Sequence, residues 1–142
     1  MSEKVLLIDD ESDFLEVMSE RLGARGMKVS TAESAQSALD TIEKESFDAV
    51  ILDFSMPEMD GIQALKLLIE KKPELQVILL TGYGTVEKSV EAIKMGASDF
   101  IEKPADIEKL VEKIKHAKSQ RMLILEKQQD EKIQDILKRY GA

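Results

Sequence analysis

The chain contains no cysteine, which excludes disulfides, thiolate nucleophiles and Cys-based zinc sites. Histidine is almost as scarce, with His116 standing alone. No apolar stretch approaches the roughly 20 residues that a membrane-crossing helix needs. The opening MSEKVLLIDD has no secretory-signal layout, because acids follow its apolar run at once. A soluble, cytoplasmic protein without membrane contact is the expectation. Positive charge is in deficit too. Twenty Lys and Arg against 28 Asp and Glu leave a formal net charge of −8, the wrong sign for a protein that grips nucleic acid by its phosphates. No GxxxxGK[ST] loop occurs. The place where a dinucleotide fold would carry GxGxxG after its first strand holds DDESDF, and GYGTVE lacks the third glycine.

What is present is a globular composition, with 43% hydrophobic and 34% charged residues in 142 positions, enough for one domain. Apolar runs occur at 5–8 (VLLI), 28–32 (KVSTA, the weakest), 48–53 (DAVILD), 76–82 (QVILLTG) and 99–104 (DFIEKP). Stretches of helical spacing separate them. Phe14, Leu15, Met18 and Leu22 share one face, and Gly23 and Gly26 supply stops. Ala35, Ala38, Leu39 and Ile42 follow, with Ser34 placed as a cap. Ile62, Leu65, Leu68 and Ile69 run until Pro73. Val86, Val90 and Ile93 form a fourth face after Thr85, closed by Gly96. Ile107, Leu110, Val111 and Ile114 begin a fifth.

Five short strands apolar on both faces, alternating with amphipathic helices, predict a parallel sheet covered on both sides. Right-handed crossovers then bring every strand's C-terminus to one edge, where open α/β sheets bind their ligands. Asp9, Asp10 and Glu11 end the first strand, Asp53 the third, Thr81 the fourth and Lys103 the fifth. Any one of these alone is most simply a cap. Together they gather carboxylates that raise each other's pKa, a conflict that a bound cation removes. Oxygen donors without His or Cys point to Mg²⁺, Mn²⁺ or Ca²⁺.

At this point VLLIDDES, VILDFSMPEMDG, VILLTGYG and GASDFIEKP, in this order and spacing, resemble the receiver domain of bacterial two-component response regulators, over about residues 3–117. The resemblance implies a doubly wound, flavodoxin-like fold and a set of roles. Asp53 would accept a phosphoryl group. Asp10 would bind Mg²⁺ (or Mn²⁺) directly, with Asp9 assisting through water and the Ser55 backbone carbonyl as a further ligand. Lys103 would contact the phosphoryl oxygens, beside Gly82, which leaves room for them. Thr81 and Phe100 would switch together, and the Lys103–Pro104 bond would be cis. Ser55 and Tyr83 would border the phosphoryl group. The donor would be a sensor histidine kinase or a phosphotransfer protein, since His116 lies beyond the site. The recipient of the signal would be a downstream protein partner or an output domain. Such a receiver catalyses only its own phosphorylation and dephosphorylation. A dehalogenase-type phosphatase would need a second Asp where Ser55 stands, and a receiver that never takes phosphate would lack Asp53 or Lys103.

The stretch TGYGTVEKSVEAIKMGASDFIEKP is most similar to receivers of sigma-54-activating regulators, which continue into an ATPase and a helix-turn-helix. The expected division is a receiver at 1–118 and a helical extension at 119–142. No Gly or Pro falls between Pro104 and Gly141, so one helix is expected over 106–139, on the order of 50 Å long. Val111, Met122 and Ile133, like Ile114, Leu125 and Ile136, recur every eleven residues, and eleven residues are three turns. Met122, Leu125, Ile133, Ile136 and Tyr140 would overhang the domain as an apolar stripe, interrupted by Lys118 and Gln129. Burial of that stripe in a homodimer is the leading expectation. Folding back on the domain and linkage to an output domain are the alternatives.

Overall fold

A computed structural model describes residues 2–54, 61–82 and 86–141, apart from the side chains at 86, 88 and 89. Its elements are β1 (Lys4–Ile8), α1 (Ser12–Gly23), β2 (Lys28–Ala32), α2 (Ala35–Lys44), β3 (Ala49–Asp53), α3 (Gly61–Lys71), β4 (Val77–Thr81), α4 (Val86–Lys94), β5 (Asp99–Glu102) and α5 (Ile107–Arg139). The sheet is parallel throughout, in the order β2-β1-β3-β4-β5. Thr85, expected before the fourth helix, lies outside the described residues.

Strand alternation sorts the core into two layers. Leu6, Ile8, Val50, Leu52, Val77 and Leu79 face one side, against α2 and α3. Leu7, Ile51, Ile78 and Leu80 face the other, against α1 and α5. β3 and β4 are buried at every position, which is why they read as unbroken apolar runs. β2 is an edge strand with one buried residue, which explains the weakness of KVSTA. The stops act as expected. Ser34 accepts a hydrogen bond from the Ser37 amide at 3.1 Å. Gly26 and Gly96 adopt φ of 85° and 117°, where a Cβ is disfavoured. α3 ends two residues before Pro73.

The apolar face of α4 is turned outward: Val90 is 47% and Ile93 38% exposed, while Ala92 is fully buried. At 3.6 residues per turn Ala92 lies about 200° around the helix from Val90, so burying Ala92 turns Val90 to solvent. Val86 belongs to the same assigned face, but its side chain is not described. Gly61 opens α3 and packs against the ring of Phe54. A Cβ there would stand 2.5 and 2.7 Å from the Cδ1 and Cε1 atoms of Phe54, so Gly61 is required by the close approach of that ring. Gly61→Ala is expected to destabilise the fold by about 1–3 kcal/mol through overpacking. A thermal melt checks this, and an unchanged midpoint would show that Phe54 moves aside freely.

α5 is one helix of 33 residues, about 50 Å long at 1.5 Å per residue. Leu110, Val111, Ile114 and Ala117 are buried. Ion pairs among the described residues fasten it, including Arg25 to Glu108, Lys113 to Asp99 at 2.7 Å, and Arg121 to Asp48 at 3.5 Å. Beyond Arg121 nothing described is buried, and Met122, Leu125, Ile133, Ile136 and Tyr140 are all exposed. Leu123 and Leu137, outside the expected stripe, are exposed as well. No helix among the described residues is long and apolar enough to cross a membrane.

Candidate functional site

Because all five strands run the same way, β1, β3, β4 and β5 deliver their last residues to one edge. Asp9 follows β1 directly, and its amide donates to the Ala32 carbonyl of β2 at 3.1 Å. Its carboxylate is buried, with 1% of the residue exposed. Oδ1 accepts from the Glu11 amide at 2.9 Å. Oδ2 is buried with no hydrogen-bond partner among the described residues. Asp10, one residue on, is exposed. Asp53 closes β3 and is itself buried.

Lys103 follows β5 and is pinned by its backbone amide, which donates to the Thr81 carbonyl at 2.8 Å. Its ammonium stands 3.1 Å from Asp53 Oδ1 and 3.8 Å from Asp9 Oδ2. The Lys103–Pro104 peptide bond is cis. Thr81 is buried at the end of β4, and its hydroxyl donates to the Ile101 carbonyl at 3.5 Å. That is the outer limit for such a bond, so little is lost if the hydroxyl turns elsewhere. Phe100 on β5 is half-buried against the core layer of α2 and α3. Gly82 is half-buried next to Thr81. Ser55 and Tyr83 lie outside the described residues. His116 is exposed on α5.

The edge thus brings together Asp9, Asp10, Asp53, Thr81 and Lys103. One oxygen from each of the three aspartates lies within 4.8 Å of the others. When ionised, three carboxylates against one ammonium leave two uncompensated negative charges. A hard divalent cation matches both that charge and the all-oxygen donor set. The orphaned Asp9 Oδ2 gives it a ready ligand, so the residues fit such an ion.

The electrostatic conflict has a different leading cause from the mutual repulsion expected. The Asp9 carboxyl is raised from 3.8 to about 6. Burial is the largest cause, and proximity to Asp53 adds to it. The Glu11 amide and the Lys103 ammonium act in the opposite direction.

Phe14 escaped the sequence reading as a site residue. It was assigned to the core face of α1, and it does pack against that layer. Its ring also lies under the Lys103 ammonium, with Nζ 5.2 Å from the ring centroid. The available signal was its place in the first turn of the helix that leaves β1, which keeps residue 14 near the edge where Asp9 and Asp10 end.

The comparisons with known proteins agree with this geometry. The family model described as the response regulator receiver domain matches residues 5–115. The response regulator protein FleR of Pseudomonas aeruginosa is 39% identical over 121 residues, covering 84% of this chain and 26% of FleR. The chain therefore spans about a quarter of that relative's length. The crystal structure of a receiver domain protein from Clostridium thermocellum superposes with a TM-score of 0.81 at 33% identity, covering 86% of this chain and 98% of that one. The solution structure of the beryllofluoride-activated NtrC4 receiver domain dimer does so with a TM-score of 0.76 at 36% identity, covering 83% and 98%. With most of its length matched by the family model, and with its fold shared by solved receivers, this chain belongs to the response regulator receiver domain family of two-component signalling.

Proposed function

We propose that Asp53 accepts a phosphoryl group in a Mg²⁺-dependent reaction, and that the phosphorylated chain presents an altered partner surface. The observation that carries this reading is the buried Asp53 carboxylate at the end of β3, 3.1 Å from the Lys103 ammonium and within the three-aspartate cluster. Transfer to a carboxylate rests mostly on positioning and charge neutralisation. A bond forms between an Asp53 oxygen and phosphorus as the bond from phosphorus to the donor atom breaks, and the donor leaves with that electron pair. Lys103 offsets charge on the phosphoryl oxygens. Asp10 and Asp53, with Asp9 and the Ser55 carbonyl, are the residues that would hold Mg²⁺, which when bound supplies further charge neutralisation. The product is an acyl phosphate, labile to water and suited to a timed signal.

Thr81 then turns its hydroxyl from the Ile101 carbonyl to the phosphoryl group, and Phe100 follows into the space released. The donor in the cell is a histidine kinase or a phosphotransfer protein, and the recipient is a protein partner or output domain. Acetyl phosphate with Mg²⁺ tests the chemistry without any protein partner. The chain should become labelled, chelation should prevent it, and hydroxylamine should remove the label. Labelling that ignores chelation would overturn the Mg²⁺-dependent reading.

The same reading divides the chain into a receiver at 1–118 and a helical extension at 119–142. About twenty residues of isolated helix are marginal in water, and the extension's apolar side chains are exposed. A symmetric homodimer through Met122, Leu125, Ile133, Ile136 and Tyr140 would bury them. The dimeric state of the beryllofluoride-activated NtrC4 receiver domain supports self-association, though that chain matches only 83% of this one and does not bear on the stripe. Sedimentation should give a dimer for the wild type. Changing both Leu125→Asp and Ile136→Asp should give a monomer that still takes label. A wild type that stays monomeric at high concentration, with and without beryllofluoride, would assign the stripe to another partner.

A further inference from the structure

Among the described residues the Lys103 ammonium meets two carboxylates, which the bound metal would also need, and one aromatic ring. Asp53 Oδ1 lies at 3.1 Å, Asp9 Oδ2 at 3.8 Å, and the centroid of the Phe14 ring at 5.2 Å. The ring lies within the roughly 6 Å at which a cation is attracted to an aromatic face. Lys103 reaches the site from the loop after β5, on a flexible stem that is 31% exposed, so its position depends on what meets the charged end. When a divalent cation engages Asp9 and Asp53, both carboxylates hold the ammonium less strongly, and the cation repels it. The ring contact is independent of those oxygens and persists.

We infer that Phe14 is a positioning residue for Lys103, its ring face retaining the ammonium at the site once the carboxylates are engaged by metal. This rests on the proposed reaction at Asp53 and names a residue that controls it from α1. Phe14 touches neither the phosphoryl group nor the metal in this role. It acts through Lys103 alone. Its ring, half-buried against the α1 and α5 layer, also packs as a hydrophobe, so the two contributions must be separated by chemistry and not by deletion.

Fluorinated phenylalanines at position 14 make that separation. They keep the shape of the ring while progressively cancelling the negative potential of its face. Across the unfluorinated, 4-fluoro, 3,5-difluoro and 3,4,5-trifluoro proteins, kcat/KM for labelling by acetyl phosphate at saturating Mg²⁺ should fall stepwise. The total loss should be about 3- to 10-fold, the upper figure corresponding to about 1.4 kcal/mol. Beryllofluoride affinity should weaken in the same order. A flat series in a protein that labels normally on Asp53 overturns the inference and leaves the reaction standing. An unfluorinated protein that fails to label on Asp53 overturns the reaction itself. A second measurement needs no activity. Denaturation midpoints of metal-free Phe14→Leu, Lys103→Met and the double variant form a cycle. The inference requires the two changes to be non-additive, with the Phe14→Leu shift smaller when Lys103 is absent. Strict additivity overturns it.

Discussion

Asp53→Asn is expected to reduce labelling by acetyl phosphate to background and to abolish beryllofluoride binding. An amide oxygen carries no negative charge with which to attack phosphorus, and it is a poor hard ligand beside Asp9 and Asp10. The substitution keeps the shape of a residue that is almost completely buried, and Lys103 retains Asp9 as a partner at 3.8 Å. One of the causes that raise Asp9 is removed, since Asp53 contributes to that shift. The folded protein should therefore keep its stability to within about 1 kcal/mol. A chain that melts normally yet takes no label isolates the chemistry from the fold. Undiminished labelling of this variant would mean that another group is the nucleophile.

Asp9 gives the second large effect, and its sign follows from where the proton binds more tightly. Its carboxyl is raised from 3.8 to about 6 in the folded protein, chiefly by burial. Between those values the folded state holds a proton that the unfolded state has released, so stability falls as pH rises. Above about 6 the folded chain carries the whole cost of ionising a buried group, and below 3.8 it carries none. The interval corresponds to about 3 kcal/mol at 1.36 kcal/mol per pH unit. Asp9→Asn, which preserves the acceptor for the Glu11 amide, should stabilise the metal-free protein by about 1–3 kcal/mol at neutral pH. The difference between wild type and variant should vanish near pH 4. The difference curve reports Asp9 together with its charge interaction with Asp53. Mg²⁺ should stabilise the wild type more than the variant, because the orphaned Oδ2 is lost with the charge. Denaturant midpoints across pH, with and without Mg²⁺, check each part. A difference that stays constant with pH would show that Asp9 titrates at its ordinary value.

The parts of the molecule legible in the sequence are those where burial is two-sided or geometry converges. β3 and β4 announced themselves because no position in either faces water. The site followed because parallel strands end at one edge, which places Asp9, Asp53, Thr81 and Lys103 near one another whatever the loops do. The difference between Asp9 and Asp10 was not legible. Two identical side chains occupy neighbouring positions, and the turn out of β1 buries the first and exposes the second. The orientation of α4 was not legible, because apolar spacing alone does not say which face packs. The face that packs carries Ala92, whose small side chain permits burial where Val90 and Ile93 remain exposed. Phe14 lay hidden for another reason: a core residue and a neighbour of Lys103 have the same helical spacing, and only the path of the loop after β5 distinguishes them. The Arg121–Asp48 pair joins the far part of α5 to the start of β3, a contact that no local pattern encodes.

Borohydride reduction of the chain after treatment with acetyl phosphate and Mg²⁺ converts an aspartyl phosphate into homoserine, and peptide mass mapping reads its position. The account predicts homoserine at position 53 and at no other. Homoserine in place of Asp9 or Asp10, or a labelled chain that keeps aspartate at 53 throughout, would contradict the claim that Asp53 is the phosphoryl acceptor.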